Sequence, residues 1–170
     1  MQGEDRRRAI LLALREARGP VSAGALAERF SVSRQIIVGD VALLRAAGEE
    51  ITATPRGYIL SAPAAGLTCR VACRHTGKNM EAELNAIVDN GCTVEDVIVE
   101  HPIYGQITGS LQLSSRYDVK RFLERCAQCD AHPLSDLTGG IHLHTLSCPD
   151  EETFARVRRI LKELGILLEE

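Results

Sequence analysis

Two histidines alternate with apolar residues at positions 140–145, where the chain reads Gly-Ile-His-Leu-His-Thr. Successive side chains of a β-strand point to opposite faces, so His142 and His144 would share one face and Leu143 would lie on the other. Imidazole is the commonest metal-binding side chain, and two on one rigid strand are well placed to share an ion. Two ligands seldom make a specific site, and a solvated strand face lined by histidines is the alternative interpretation.

Two further candidate ligands lie upstream. His75 ends an alternating segment at 67–75, and Glu83 follows eight residues later in a segment with helical periodicity. If the first and last strands lie side by side, three imidazoles meet, and Glu83 folds back onto them from the second turn of its helix. This set suits zinc, nickel, iron, cobalt or manganese, and ligand type separates these ions poorly because affinity follows the general divalent series.

Hydrophobic periodicity predicts the elements that hold these residues. Strands are expected at 67–75, 92–100, 106–113 and from 141, and helices at 80–88, 117–129 and after Asp150. The order β-α-β-β-α-β-α favours a two-layer domain with a mostly antiparallel four-stranded sheet and helices covering one face. The other face is expected to be free for a ligand or a partner.

Residues 1–62 carry a different pattern. Helices are expected at 5–17, 22–30 and 33–48, with Ser22 and Ser33 as N-caps, and residues 51–60 have the alternation of a hairpin. Three helices with a tight turn before the third, followed by a hairpin, are typical of a winged helix-turn-helix. The fold class of the whole chain is therefore expected to be α+β.

In a winged helix-turn-helix the third helix enters the major groove of double-stranded DNA, and its first residues face the bases. Arg pairs with guanine and Gln with adenine, and the hairpin tip reaches phosphate or the minor groove. The candidate DNA-binding residues are therefore Ser33, Arg34, Gln35, Val38 and Arg56. The alternative is that these are solvated residues on an ordinary helical bundle. The order of the elements, and the presence of nine Arg and no Lys in residues 1–60, favour DNA binding.

Charge and composition divide the chain in the same place. Residues 1–60 carry a net charge of +2 (nine Arg, seven acids) and residues 61–170 carry −5, with all five His. A small-residue, Pro-containing segment at 61–66 is the expected boundary between a domain at 1–62 and a domain at 67–170. No apolar run approaches the roughly 20 residues of a membrane span, and no signal-peptide core is present, so we expect a cytoplasmic protein without membrane contact.

The six cysteines are then expected to be reduced. Cys126 and Cys129 form a Cys-x-x-Cys pair, but no second pair completes a four-thiolate zinc site. We interpret both as small core or helix-face residues, and His132 as a solvated loop residue.

Several of these segments resemble known families. Residues 26–35 and 40–48 resemble the helix-turn-helix of the biotin-operon repressor type, although relatives often carry a larger polar residue in place of Gly39. The whole chain, over about residues 5–165, resembles the nicotinate-responsive repressors of NAD biosynthesis and niacin uptake (NiaR type) with their three-histidine (3H) domain. The motifs that carry this resemblance are 75–77, Glu83, 101–105 and 139–145.

The resemblance implies a transcriptional repressor, with His75, Glu83, His142 and His144 as metal ligands and nicotinate (nicotinic acid) as co-repressor at or near the metal. A homodimer is expected because helix-turn-helix half-sites are usually paired. Four protein ligands leave one or two positions open, and the pyridine nitrogen of nicotinate is a good donor for them. Candidate effector-binding residues are Arg74, Thr145 and Tyr104, which offer donors to the carboxylate, and His101, which we interpret as a pocket wall.

Two other functions compete with this interpretation. A metal sensor would respond to the metal alone, without an organic effector. A hydrolytic enzyme would use three His around zinc with an open position, and an acid such as Glu100 as base. The helix-turn-helix argues against a free catalyst, so we expect no catalytic residues.

Overall fold

The computed structural model describes residues 3–60, 66–129 and 132–169. The chain divides into two compact units, within residues 1–63 and 64–170. The expected boundary segment lies outside the described residues except for Gly66, as does the beginning of the loop expected before His142. None of the helices within the described ranges is long and apolar enough to span a bilayer.

The first unit has the expected helix-turn-helix and hairpin. Its elements are α1 (Gly3–Glu16), α2 (Ala23–Phe30), α3 (Arg34–Ala46), β1 (Ile51–Thr54) and β2 (Gly57–Leu60), and β1 pairs with β2 in antiparallel fashion. The hydroxyl oxygens of Ser22 and Ser33 accept hydrogen bonds from the backbone N–H groups of Ala25 and Ile36, so both predicted N-caps are confirmed.

One pairing in this unit has no signal in the hydrophobic pattern. The backbone of Val21 exchanges hydrogen bonds of 2.8 and 2.9 Å with Tyr58 of β2, which ties the turn before α2 to the hairpin. Gly57 permits this approach, because its φ is +140° and a Cβ there would lie 2.4 Å from the carbonyl oxygen of Val21.

An ion pair fixes the third helix against the first. Asp40 of α3 is buried, and its carboxylate accepts a 2.6 Å hydrogen bond from Arg6 of α1, with Arg7 at 3.6 Å. The apolar core beneath includes Ile37, Val41 and Leu44 of α3, which recur at helical spacing. The exposed face of α3 is thereby held in one orientation relative to α1.

The second unit confirms the expected order of elements. They are β3 (Leu67–Arg74), α4 (Met80–Asp89), β4 (Thr93–His101), β5 (Gly105–Leu113), α5 (Arg116–Gln128), β6 (Ile141–Cys148) and α6 (Glu151–Glu163), with short 3-10 turns at Gly77–Asn79 and Leu134–Thr138. The sheet has the strand order β3-β6-β4-β5, all pairs antiparallel. The first and last strands therefore lie side by side, as expected.

The histidine-bearing face of β6 is the covered one. His142, His144, Leu146 and Cys148 are all buried, and the latter two join the core formed with α4, α5 and α6. The interpretation of a solvated histidine face is therefore wrong. The expectation that a ligand would use the sheet face without helices also fails for these residues, because their imidazoles point to the helix side.

The recognition helix offers a matched pair for a stability test. Ile37 is fully buried, whereas its neighbour Ile36 is 42% exposed. We expect Ile37→Ala to lower the free energy of unfolding of the first unit by about 2–5 kcal/mol, because it leaves a cavity in the core. Ile36→Ala should cost about 1 kcal/mol or less. Chemical denaturation measures both, and equal losses would contradict the core assignment.

Candidate metal centre

Four side chains, from α4, β6 and the residue that follows β3, meet at one end of the β3–β6 pair. The Nε2 atom of His75 lies 2.6 Å from Glu83 Oε2, that of His142 lies 3.1 Å from Oε1, and that of His144 lies 3.5 Å from Oε2. The imidazole rings of His75 and His142, and those of His142 and His144, are 5.0 and 4.9 Å apart. The exposed fractions of the four side chains lie between 1% and 4%, so the cluster is closed to bulk water.

The backbone explains why these residues meet. His142 and His144 of β6 pair with Cys73 and Val71 of β3, so β3 delivers His75 to the same place just past its end. A single 3-10 turn then connects β3 to α4, which brings Glu83 back over the strands.

Gly140 closes the cluster at the start of β6. Its carbonyl oxygen accepts hydrogen bonds from the backbone of His75 at 3.3 Å and from the ring of His142 at 2.9 Å. The φ of Gly140 is +91°, and a Cβ would lie 2.3 Å from the carbonyl oxygen of His75. Only glycine permits this close approach.

Each of the three imidazoles is fixed in the same tautomer. Their Nδ1 atoms face backbone carbonyl oxygens, of Thr76 for His75 at 2.7 Å, of Gly140 for His142, and of Asp96 for His144 at 2.5 Å. A carbonyl oxygen only accepts, so each Nδ1 carries the proton and donates it. The neutral rings therefore direct three Nε2 lone pairs at the Glu83 carboxylate, which is how proteins orient metal-binding histidines.

The cluster contains one buried carboxylate, that of Glu83, surrounded by three imidazole bases. Burial alone would raise the pKa of Glu83, but the carboxylate is stabilised when the adjacent imidazoles take up a proton at Nε2, and this interaction holds its pKa far below the usual range. The same carboxylate raises the pKa of His75, chiefly by its hydrogen bond, and raises that of His144 despite the burial of that ring. Glu83 is thus a carboxylate that attracts positive charge to the Nε2 atoms.

This donor set fits a divalent transition metal. When the three rings are neutral, their Nε2 atoms and the Glu83 carboxylate are all acceptors, and none of them carries a proton to donate. A cation shared among them would provide all four with a favourable partner. His144 supports this fit, because its buried Nε2 has no hydrogen-bond partner among the described residues. The residues present therefore fit the metal that the resemblance implies.

Two residues of this site were missed by sequence reasoning. Cys73 is fully buried, and its thiol lies with Glu83 and His142 in a group whose possible ligand atoms are all within 4.8 Å of one another. Asp96 holds His144 through its carbonyl oxygen and accepts a hydrogen bond from the backbone of Thr145 through its carboxylate. Alternation along β3 places Cys73 on the face of His75, and this was the signal available for it.

The expected effector-binding residues are divided between the two faces of the sheet. Arg74 and Thr145 alternate with Cys73 and His144, so their side chains leave the strands on the opposite face, and the structure does not bring them to the cluster. Glu100, the acid expected for an enzyme, is exposed.

His101 and Tyr104 lie at the other hairpin, where β4 turns into β5. The pairing of Ile98 with Leu143 places Val99, and with it His101, on the face of His142. The Nδ1 atom of His101 accepts hydrogen bonds from the backbone of Ile103 and Tyr104, so its Nε2 carries the proton. Tyr104 is largely exposed.

The Cys-x-x-Cys segment and His132 lie apart from the cluster. Cys126 is half-buried in the last turn of α5 and Cys129 is exposed at its end. His132 is exposed, with Asp136 at 3.6 Å.

The candidate DNA-binding residues of the first unit are accessible. Ser33, Arg34, Gln35 and Val38 are exposed at the beginning of α3, and Arg56 is half-buried in the turn between β1 and β2. A Cβ at Gly39 would meet nothing within 4 Å, so packing does not explain this glycine on the same surface.

Comparison with known proteins agrees with this division into units. Residues 6–59 match the family described as an HTH domain, and residues 68–170 match the 3H domain. The chain is 45% identical to the "Probable transcription repressor NiaR" of Thermotoga maritima, over 98% of this chain and 95% of that protein. It is 41% identical to the "Transcription repressor NadR" of Bacillus subtilis, over 100% and 97% of the two chains.

The chain belongs to this family of transcription repressors. Its helix-turn-helix unit supplies the DNA-binding part that such repressors require, and the buried histidine cluster lies wholly within its 3H domain. The expectation of a DNA-binding transcriptional repressor is confirmed.

The carboxylate of the 3H-domain cluster offers a test of metal binding. A metal that binds only the folded state at 100 times its dissociation constant stabilises that state by about 2.7 kcal/mol. We expect zinc to raise the melting temperature of the protein. Glu83→Gln should abolish most of this rise, because we expect Glu83 to bind the metal directly, and loss of a residue that only orients a metal ligand already costs about 10–100-fold in affinity.

Glu81→Gln is the matched control, since Glu81 is exposed on the same helix. It should keep the full zinc-dependent rise. A zinc-dependent rise that survives in Glu83→Gln would contradict the assignment of the ligand.

Proposed function

We propose that this chain represses genes of NAD biosynthesis and niacin uptake, and that nicotinate is its co-repressor, bound at a divalent transition metal held by His75, Glu83, His142 and His144. The observation that carries the proposal is the convergence of three Nε2 lone pairs on one buried carboxylate. The name of the relative in Thermotoga maritima, together with the motifs at 75–77, Glu83, 101–105 and 139–145, supports the choice of nicotinate.

The chemistry of nicotinate matches such a site. Four protein ligands leave one or two positions on a five- or six-coordinate ion, and a pyridine nitrogen is a donor of the same kind as imidazole. Burial of the four ligands excludes competing bulk water, which strengthens interactions with a charged effector.

The carboxylate of nicotinate requires a donor, and His101 is the best-placed of the four candidates. It shares the sheet face of His142, and its tautomer presents an Nε2–H group. Tyr104 follows on the same hairpin, with its ring 5.0 Å from that of His101. Arg74 and Thr145 leave the sheet on the other face, which is why we rank them below His101.

On the DNA side, we propose that Arg34 and Gln35 read bases in the major groove, with Ser33 and Val38 beside them and Arg56 on the backbone or minor groove. A homodimer would present two such helices to paired half-sites. The ion pair between Arg6 and Asp40 supports this role because it holds α3 rigidly, and base reading requires fixed side-chain positions.

The second candidate function is a metal sensor without an organic effector. The completeness of the cluster favours it, since three imidazoles and a carboxylate form a metal site without any further donor. A catalytic role has no such support, because the strand places Glu100 on the opposite face from His142.

Operator binding in the presence of both ligands separates these functions. We expect nicotinate to tighten binding to the upstream DNA of the protein's own operon by at least about fivefold in metal-loaded protein, a typical allosteric coupling. It should do nothing in chelated protein. Titration by fluorescence anisotropy at fixed salt measures this.

Nicotinamide, which keeps the pyridine nitrogen but lacks the carboxylate, is the matched ligand control. His101→Ala should weaken the response to nicotinate but preserve zinc binding. If metal alone shifts operator affinity and nicotinate has no effect, the metal-sensor function replaces the co-repressor function.

The recognition helix has its own prediction. Arg34→Ala should weaken binding to the operator by about 1–3 kcal/mol, or roughly 5- to 150-fold, and relax the preference for one base pair. Arg15→Ala, at an exposed position near the end of α1, is the control for loss of one positive charge. Equal losses for the two variants on operator and random DNA would show that Arg34 contributes only charge.

A further inference from the structure

Cys73 is a thiol within the ligand group that neither the four-ligand set nor the resemblance includes. It is fully buried in β3, directly opposite His142 of β6. Its sulfur and the ligand atoms of Glu83 and His142 lie within 4.8 Å of one another.

The other buried cysteines have different surroundings. Cys92 and Cys148 lie beside each other, and Cys148 lies six positions beyond His142 on the same strand. Within the described part of the chain, neither belongs to a group of three possible metal ligands. The position of Cys73 is therefore specific to the cluster.

A second, independent observation points to a ligand at this place. His144 is buried, and its Nε2 is directed into the cluster with no hydrogen-bond partner in the part of the chain that the structure describes. The thiol and this nitrogen both approach the Glu83 carboxylate, which lies 3.5 Å from His144 Nε2. A cation placed between the Cys73 sulfur, the Glu83 carboxylate and the His142 ring nitrogen would be within reach of all three.

We propose that Cys73 is a fifth protein ligand of the metal and binds as a thiolate. On binding, the sulfur–hydrogen bond breaks, the sulfur lone pair forms the bond to the divalent ion, and the proton leaves to solvent. No electron is transferred. This inference rests on the proposed metal site, and it adds a soft donor to a set that otherwise has three nitrogens and one oxygen.

The additional sulfur ligand would restrict which metals bind well and reduce the number of coordination positions open to an effector. Thiolate ligands favour zinc and disfavour manganese, which prefers oxygen ligands. With five protein ligands a six-coordinate ion keeps one open position, enough for a single pyridine nitrogen. The site would then be selective for one monodentate donor.

Cobalt(II) provides the probe, because it substitutes for zinc and its absorption reports on its ligands. We expect wild-type protein titrated with Co(II) to show visible ligand-field bands together with a sulfur-to-cobalt charge-transfer band in the near ultraviolet. Cys73→Ser should lose the charge-transfer band and keep the ligand-field bands. Cys92→Ser, at an equally buried position, should keep both.

The outcomes separate the inference from the site on which it rests. Ligand-field bands without a charge-transfer band in the wild type would overturn the thiolate and leave the four-ligand site intact. Absence of all bands in the wild type would overturn the metal site itself. A charge-transfer band that persists in Cys73→Ser would assign it to another cysteine.

A measurement on unmodified protein covers the case in which Cys73→Ser fails to fold. Zinc-edge X-ray absorption of the wild type should show one sulfur at about 2.3 Å beside nitrogen and oxygen ligands at about 2.0–2.2 Å. A shell of nitrogen and oxygen alone would overturn the proposal. Where the variant folds, we expect its zinc affinity to fall at least roughly tenfold and its manganese affinity to change little.

Discussion

The 3H domain is organised by one electrostatic constraint, a carboxylate buried against three imidazoles. An unpaired ionised carboxylate in the interior is strongly unfavourable, so Glu83 requires partners that carry or attract positive charge. The three rings cannot supply a proton at Nε2 while neutral, because their Nδ1 protons are committed to the carbonyl oxygens of Thr76, Gly140 and Asp96. The cluster therefore needs added protons or a metal ion. Either cation stabilises the pairing of β3 with β6, and only the metal satisfies all donors without charging the rings.

The same constraint connects ligand binding to folding of the domain. His142 and His144 lie on the face of β6 whose next two inward residues, Leu146 and Cys148, belong to the apolar core. Glu83 precedes Leu84 and Ile87, which anchor α4 in that core. A metal at this place would hold α4 on the β3–β6 pair from one end while the apolar core holds it from the other. Binding energy at the site then contributes to the stability of the domain.

Sequence patterns were sufficient for the elements, the caps and the neighbours β3 and β6, because these follow from periodicity and local chemistry. They were insufficient where the register between strands decides which residues face each other. A bulge in β4 shifts the pairing between Val94 and Ile98, so Val94 faces Leu146 and Ile98 faces Leu143 on the opposite side. Even spacing in the sequence would have placed both on one face. The same register brings the Asp96 carbonyl to His144. Composition and periodicity indicate neither the bulge nor the contact between Asp96 and His144.

The distribution of the candidate residues between two units limits how an effector can act. Arg34 and Gln35 belong to the helix-turn-helix unit and the cluster to the 3H domain, so the base-reading candidates and the metal candidates are supplied by different units. The influence of nicotinate on operator affinity must come from a difference in its own affinity for two states of the repressor. By linkage, operator DNA must then tighten nicotinate binding by the same factor as nicotinate tightens operator binding. A co-repressor that met only preformed, identical sites in both states would bind the metal and leave transcription unchanged.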